Sequence, residues 1–412
     1  MLDINFIKEN QEKVKKGIKD KGYDSKLVDR VLVVDKTRRG LIGKTESLRA
    51  ERNKLGKEDI EKGKKIKEEL KKLEPELNKV EMELKELLYQ IPNLPAADVP
   101  VGKDEKDNVE IKKWGEAKKF AFQPKAHFEL GETLDVIDTQ RGSKVSGTRF
   151  GYLKNEAVIL EFALINLAFE TLLKEGFIPV IPPAMISLES MGGMGYLEHG
   201  GQENMYLLEK DKMVLVGTAE QSIGPMYKDE MLLEKELPKR YVGFSSCFRR
   251  EAGSYGKDTK GIFRVHQFNK VEMLSFTKPE DSDKEHEYLL SLEEKLMQKL
   301  VLPYRVVKMC TGDLGHPAAR KYDIEAWFPS EKSYRETHSV STCTDYQARR
   351  LNIKFKTKEG ERRFVHMLNG TAFSERPILA ILENCQQKDG SVEVPKVLQK
   401  YTGFKKITPK TS

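Results

Sequence analysis

Residues 248–272 read FRREAGSYGKDTKGIFRVHQFNKVE and crowd charge into about one hairpin's length. Arg249 and Arg250 stand together, Glu251 follows, and Arg264 returns after a stretch rich in Gly and Lys. Apolar and charged residues alternate on both arms, which predicts two β-strands joined by a long loop. A strand face carrying Arg249, Glu251 and Arg264 is no plain core face, because buried charge needs partners. A solvated, salt-bridged hairpin meets that need. So does a platform for a nucleoside triphosphate, where arginines clamp phosphates and Phe268 offers a flat ring to a base.

Three further clusters bear on that choice. GTAEQS at 217–222 puts Thr218 and Glu220 on one side of an extended chain; an exposed strand end explains them equally. In SYRETHSVSTCTDYQARR (333–350), Glu336 and Ser339 stand beside several hydroxyls. A carboxylate with a hydroxyl oxygen suits Mg²⁺ bridging phosphates, and a polar turn is the plainer account. HMLNGTAFSERPILAILEN (366–384) runs from a Gly-containing loop into an apolar helix, with Arg376 at the junction. An arginine there can meet a phosphate near the positive end of the helix. Each signal is modest alone; their order along one chain is not.

These residues need a scaffold. Leu27, Val34, Leu41, Leu48 and Leu55 recur every seven residues, followed by a polar break at 56–63. Ile66, Leu70, Leu73, Leu77, Val80, Leu84, Leu87 and Ile91 then keep a continuous 4-3 repeat. The pattern predicts an antiparallel coiled-coil hairpin over 27–91, each helix roughly 40 Å long. Gly40 and Gly43 weaken the first helix, and Pro75 predicts a kink in the second. The stretch 91–108 reads as an extended linker. Domains are therefore expected at 1–105 and 106–412. The second mixes a helix at 158–173 with strands at 213–220, 240–251 and 323–328. A mostly antiparallel sheet with flanking helices, an α+β class, fits best. No Walker sequence and no GxGxxG opening a helix occurs, so ATP would need another fold.

The chain has 412 residues, 33% of them charged, and a formal net charge of +7. A mild basic excess suits a polyanionic partner without demanding one. Four cysteines at 247, 310, 343 and 385 form no CxxC pair, which argues against a disulfide framework or structural zinc. No apolar signal core or membrane-length apolar run appears, so a cytosolic, reduced setting is expected.

Across nearly its whole length the chain resembles the class II aminoacyl-tRNA synthetases, and among them the seryl-tRNA synthetases. The likeness is carried by the helical arm, IPNLPAADVPVGKDE, the TAE triplet, FRREAGSYGKDTKGIFRVHQF as motif 2, TGDLGHPAARKYDIEAWFPSEKSYRE, and motif 3 ending at Arg376. Residues 176–183 look like motif 1, which builds the family's dimer interface. The resemblance implies activation of L-serine with ATP and Mg²⁺, then transfer to tRNA(Ser), and to tRNA(Sec) where present. It implies that Thr218, Ala219, Glu220, Arg249, Glu272 and Thr371 line the serine pocket. For ATP it implies Arg249 on the α-phosphate, with Arg250 nearby, Glu251 at the adenine edge, Phe268 stacked on the base and Val265 along it by its backbone. Arg264 and Arg376 would hold the far phosphates, with Thr337 and His338 alongside. Glu336 and Ser339 would hold the metal. Arm lysines such as Lys54, Lys64, Lys65, Lys71 and Lys72 would meet the RNA backbone.

The chain departs from the family pattern in two places. Motif 3 is one residue shorter between Thr371 and Arg376, with Glu375 just before the arginine, and the arm is somewhat short. His338 stands where serine is common, and His266 reads as a hydrogen-bonded sheet residue rather than a catalyst. Two rivals remain: a paralogue that charges something other than tRNA, and a non-catalytic RNA-binding scaffold. The first usually lacks the arm. The second predicts lost arginines or pocket acids, yet Arg249, Arg376, Glu220 and Glu272 are all present.

Overall fold

The computed structural model describes residues 1–56, 58–252, 258 and 260–410. Most of the Gly/Lys-rich loop between the motif 2 arms lies outside the described residues. The chain divides into two compact units, Met1–Leu94 and Pro95–Ser412.

In the first unit, helices α1 (Ile4–Glu9) and α2 (Gln11–Asp20) precede a long pair, α3 (Lys26–Asn53) and α4 (Ile60–Gln90). The long helices pack on one another as the leucine spacing requires. Leu27, Val31, Leu41 and Thr45 of α3 are buried, as are Ile66, Leu70, Leu84 and Leu87 of α4. Asp35 is also buried, against expectation; Arg38 and Arg39 each meet its carboxylate at 3.0 Å. α4 runs through Pro75 as one assigned helix.

The second unit is built on an eight-stranded sheet. Its strands are β1 (Val109–Trp114), β2 (Ile178–Val180), β3 (Lys239–Phe248), β4 (Gln267–Thr277), β5 (Tyr304–Lys308), β6 (Arg320–Phe328), β7 (Ser333–Thr342) and β8 (His366–Ser374). The order is β1-β5-β6-β7-β8-β4-β3-β2, antiparallel except for β2 against β3. Helices α5 (Asn155–Lys174), α6 (Ser282–Leu300), α7 (Tyr346–Leu351) and α8 (Arg376–Asn384) flank it. α5 buries Leu160, Ala163, Leu164, Leu167 and Ala168, a helical stripe. These join Leu289, Leu292 and Leu296 of α6 and Val271, Ile324 and Phe373 of the sheet in one core. Each of the larger side chains, the leucines, Val271, Ile324 and Phe373, contributes roughly 1.5–3 kcal/mol on burial. No helix among the described residues is long and apolar enough to cross a membrane.

Several local expectations differ. The stretch read as a linker is docked on the second unit. There Ala96 N–H donates to Ala319 O at 2.9 Å, and Thr311 N–H to Pro100 O at 2.9 Å. Its backbone groups find partners just outside the sheet strands, at Ala319 and Thr311, so the division falls at Leu94, before 105. The strand expected at 213–220 stops at Leu215, and Glu220 opens a helical turn, Glu220–Ile223. The expected strand at 240–251 ends at Phe248, and its partner starts only at Gln267.

Gly40 and Gly43 offer a clean check on the hairpin. A Cβ at either position meets nothing within 4 Å. Gly40→Ala and Gly43→Ala should each stabilise the first unit by about 1 kcal/mol, since alanine loses less backbone entropy in a helix. Chemical unfolding followed by helical circular dichroism reads this directly, and a loss of stability would contradict an exposed helical position at these glycines.

Candidate active site

Two β-bulges decide which side chains share the open face of the sheet. In β7, Glu336 pairs with Glu325 but His338 pairs with Ile324, so Thr337 is the extra residue. The slip puts Glu336 and Ser339 on the same face and sends His338 to the other. In β8, Phe373 pairs with Val271 but Thr371 pairs with Glu272, leaving Ala372 extra. Phe373 therefore stays in the core while Thr371 stands beside Glu272. Without the second bulge one of the two would be on the wrong face.

The motif 2 arms meet beyond the strand ends. Arg249 N–H donates to His266 O at 2.9 Å, and the His266 Nδ1 lies 2.9 Å from Arg249 O. These bonds pin the backbone next to Arg249. Its guanidinium stands 5.1 Å from the Phe268 ring centre, and Nε donates to Gly217 O at 3.1 Å. Arg264 donates to Glu251 Oε2 at 2.7 Å, and Glu251 adopts a left-handed φ of 52°. Arg376 Nη1 donates to Glu336 Oε2 at 2.9 Å and to Glu336 O at 3.1 Å, with its guanidinium over Phe263. The short turn before Arg376 thus still brings the arginine to Glu336. Burial would raise the Glu336 carboxyl, but Arg376 and Lys321 hold it down at about 2.

Not every expected ligand points into this space. His338 hands one ring nitrogen to Thr337 Oγ1 at 2.8 Å and the other to Ala372 O at 3.0 Å. Burial depresses it to about 3, so it is neutral and turned from the phosphates. Thr337 Oγ1 is likewise spent on Ile324 O at 3.2 Å. Arg250 lines a hollow with Met205, Tyr206, Leu207, Glu209 and His266, in which neither Arg249 nor Phe268 takes part. Val265 is buried in the core cluster, leaving its backbone as the only part free for a ligand.

Beside Arg249 lies a closed acidic pocket. Thr218, Glu220, Glu272 and Thr371 are buried there, with Ala219 packed into the core behind them. Thr218 Oγ1 donates to Glu272 Oε2 at 3.2 Å. Tyr196 donates its hydroxyl to Glu220 at 3.1 Å, and Gln347 of α7 donates to Glu220 Oε1 at 3.2 Å. Burial, then repulsion from Glu272, pushes Glu220 up to about 7.

For a hard divalent ion the donor set is suitable. Glu336 and Ser339 share a face, and Asp323 lies opposite Ser339 in the ladder. All three supply oxygen, the ligand Mg²⁺ prefers. No group of three acidic, His or Cys side chains converges on a point among the described residues, so a metal would need further oxygens.

The sequence reading missed three contributors. Lys270 forms a close ion pair with Glu272, both side chains nearly enclosed. Strand alternation puts 270 and 272 on one face, a signal that was available. Tyr196 and Gln347 come from segments with no local mark, brought in by tertiary folding alone. Breaking a buried pair strands a charge, so Lys270→Met should cost about 3 kcal/mol. Adding Glu272→Gln to it should recover much of that loss. Urea unfolding of the two variants measures both steps, and a near-neutral Lys270→Met would show that Glu272 does not depend on it.

Comparison with known proteins agrees with this geometry. Residues 206–385 match the model of the tRNA synthetase class II core domain (G, H, P, S and T), and residues 1–95 match the seryl-tRNA synthetase N-terminal domain. The serine–tRNA ligase of Dictyoglomus thermophilum is 50% identical, with 100% of both chains covered. The crystal structure of seryl-tRNA synthetase from Pyrococcus horikoshii complexed with ATP superposes with a TM-score of 0.95 at 43% identity, over 100% of both chains. That of the cytoplasmic serine–tRNA ligase from Naegleria fowleri in complex with AMP gives 0.91 at 35% identity, over 100% of this chain and 99% of the other. Matched end to end by such relatives, this chain belongs to the seryl-tRNA synthetase family.

Proposed function

We infer that the protein is a serine–tRNA ligase. It activates L-serine with ATP to seryl-adenylate and pyrophosphate, then passes serine to the 3′-terminal adenosine of tRNA(Ser), and of tRNA(Sec) where that tRNA exists. The observation that carries this reading is the adjacency of Arg249, over Phe268 and bonded to Gly217 O, to the acidic pocket that begins at Thr218. A nucleotide base on Phe268 and an amino acid on Glu220 and Glu272 would meet at that one guanidinium.

The chemistry asks for positioning and charge neutralisation rather than a nucleophilic side chain. The serine carboxylate is already ionised and attacks the α-phosphorus in line. Arg249 spans the carboxylate and the α-phosphate. Glu251 faces the adenine edge, and Val265 lies along the nucleotide by its backbone. Arg264 and Arg376 leave Glu251 and Glu336 for the far phosphates. Glu336 and Ser339 would hold Mg²⁺, which would neutralise phosphate charge. Thr218, Glu272 and Thr371 offer the serine hydroxyl partners that alanine leaves unpaired, a basis for rejecting alanine by roughly 10⁴-fold.

The first unit reads as the tRNA-binding arm of this enzyme. Lys54, Lys64, Lys65, Lys71 and Lys72 all lie exposed on α4 or at the turn before it, where an RNA backbone can reach them. A homodimer follows from the same reading. Phe162 of α5 is 55% exposed and Ile181 after β2 is 84% exposed, apolar surface where motif 1 would meet a second copy. The reading puts the enzyme in the cytoplasm, where tRNA is charged.

Serine-dependent ATP–pyrophosphate exchange tests the first step, and charging of serine tRNA the second. Arg249→Ala should lower exchange by at least about 10²-fold with the fold intact; near-normal exchange would remove Arg249 from the reaction. The Glu220 carboxylate takes up a proton as pH falls through about 7. Its attraction for the serine ammonium then fades, so KM for serine should climb by up to about tenfold per pH unit below that point. A serine KM that is constant from pH 8 to pH 6 would exclude Glu220 as the ammonium partner.

A further inference from the structure

Asn269 sits where strand pairing runs out. β4 pairs with β8 as far as Lys270 opposite Ser374. One residue on, the chain has turned into α8 with Glu375 at its N-cap. Asn269 N–H therefore has no backbone partner on that side. Glu375 supplies one, its Oε1 accepting the N–H at 3.0 Å. The Asn269 side chain reaches further. Its Oδ1 accepts from Ser246 Oγ of β3 at 2.9 Å, and its Nδ2 donates to Glu161 Oε1 of α5 at 2.9 Å. One asparagine thus joins β3, β4, α5 and α8. Its neighbour in the chain is Phe268, and the neighbour of Glu375 is Arg376.

Two carboxyl groups close on this one asparagine, Glu375 on its backbone amide and Glu161 on its side-chain amide. The other charges nearby are committed elsewhere: Lys270 to Glu272, and Arg376 to Glu336. From β3 only the Ser246 hydroxyl faces the group. Among the described residues no cation pairs with either acid. Burial, then repulsion from Glu161, pushes Glu375 up to about 8. Burial also raises Glu161, against its bond from Asn269. Two like charges held close disfavour double ionisation.

We propose that Glu161 and Glu375 keep one proton between them around Asn269, and that this pair sets the spacing between the Phe268 ring and the Arg376 guanidinium. The proposal rests on the reading that those two side chains grip ATP at its base and at its phosphates. With the proton in place, the start of β4 and the start of α8 stay drawn together. When both acids ionise they repel across Asn269 with no cation to hold them. Phe268 and Arg376 are each one residue away and shift with them. The amino-acid pocket lies further along β4, beyond Lys270, and is spared. Glu161 and Glu375 are thus positioning residues, acting on ATP through their neighbours.

The test is the Kd of ATP for the full chain, measured by calorimetry between pH 7 and pH 9. The wild-type Kd should rise about tenfold across that range, as the pair loses its last proton. Glu375→Gln leaves a single acid and should bind ATP at pH 7 like the wild type, with a flat profile to pH 9. Glu161→Gln should flatten the profile in the same way and decides the matter if the first variant does not fold. A flat wild-type profile, or a rise that survives in either folded variant, overturns the proposal. Pyrophosphate exchange run in parallel separates the two readings. Exchange without a titrating Kd removes the pair alone; a titrating Kd without exchange removes the enzyme reading and leaves the pair.

Discussion

The Lys270–Glu272 pair constrains everything around it. A carboxylate enclosed in the middle of a sheet costs several kcal/mol unless opposite charge stands beside it. β4 provides that charge two residues earlier, on the same face. With Glu272 held, a second acid, Glu220, can be buried close by, though only at the cost of a proton affinity near neutrality. A third, Glu293 of α6, is fully buried beneath, and burial with Glu272 and Asp323 pushes it far above the carboxylate range. It is therefore carried as a neutral acid. The site tolerates so much acid because only some of it is ionised at once.

The same rule explains why two arginines of the open face are already occupied. Arg264 rests on Glu251 and Arg376 on Glu336. A free guanidinium cluster would repel itself and distort the face before any anion arrived. Internal partners keep each group in place, and a triphosphate then exchanges one set of charge pairs for another. Charged groups held in place in advance are what make preorganised charge effective in catalysis. Arg249 differs in having a backbone carbonyl and a ring as its rests rather than an acid. Neither contact neutralises its charge, unlike the carboxylates under Arg264 and Arg376.

Much of this was legible in the residues. Leucine spacing carries the hairpin, because a seven-residue repeat has few other physical readings. Alternation carries the central strands, and the arginines and acids of the site stand in recognisable blocks. The bulges at Thr337 and Ala372 were not legible. Each changes register by one residue, and nothing in SYRETHSV or GTAFS marks which residue is extra. That slip nonetheless decides that His338 serves the core and Ser339 the site. Thr218 and Glu220 looked extended because their residue types fit a strand. The short helix has a local bond, Gln221 Oε1 accepting the Gly217 N–H at 2.7 Å, and its Glu220 is held by Tyr196 and Gln347 from distant segments. Lys270 was within reach of the alternation argument, whereas Tyr196 and Gln347 depend on long-range packing that local pattern does not encode.

The ends of strands emerge as the working parts of this fold. Regular pairing satisfies backbone groups without help, so side chains in the sheet centre are free to pack or, like Glu272 and Thr371, to line the pocket. Where pairing stops, at Phe248, Gln267 and Ser374, orphan N–H and C=O groups need substitutes. His266 serves Arg249, and Glu375 serves Asn269. Each substitute ties a strand end to a polar side chain beside the site. Strand centres bury the acids of the pocket, and strand ends place the arginine and the ring beside it. An enzyme that must bind two small molecules, join them and release the product to a third needs both properties, and here they are divided along the length of the same strands.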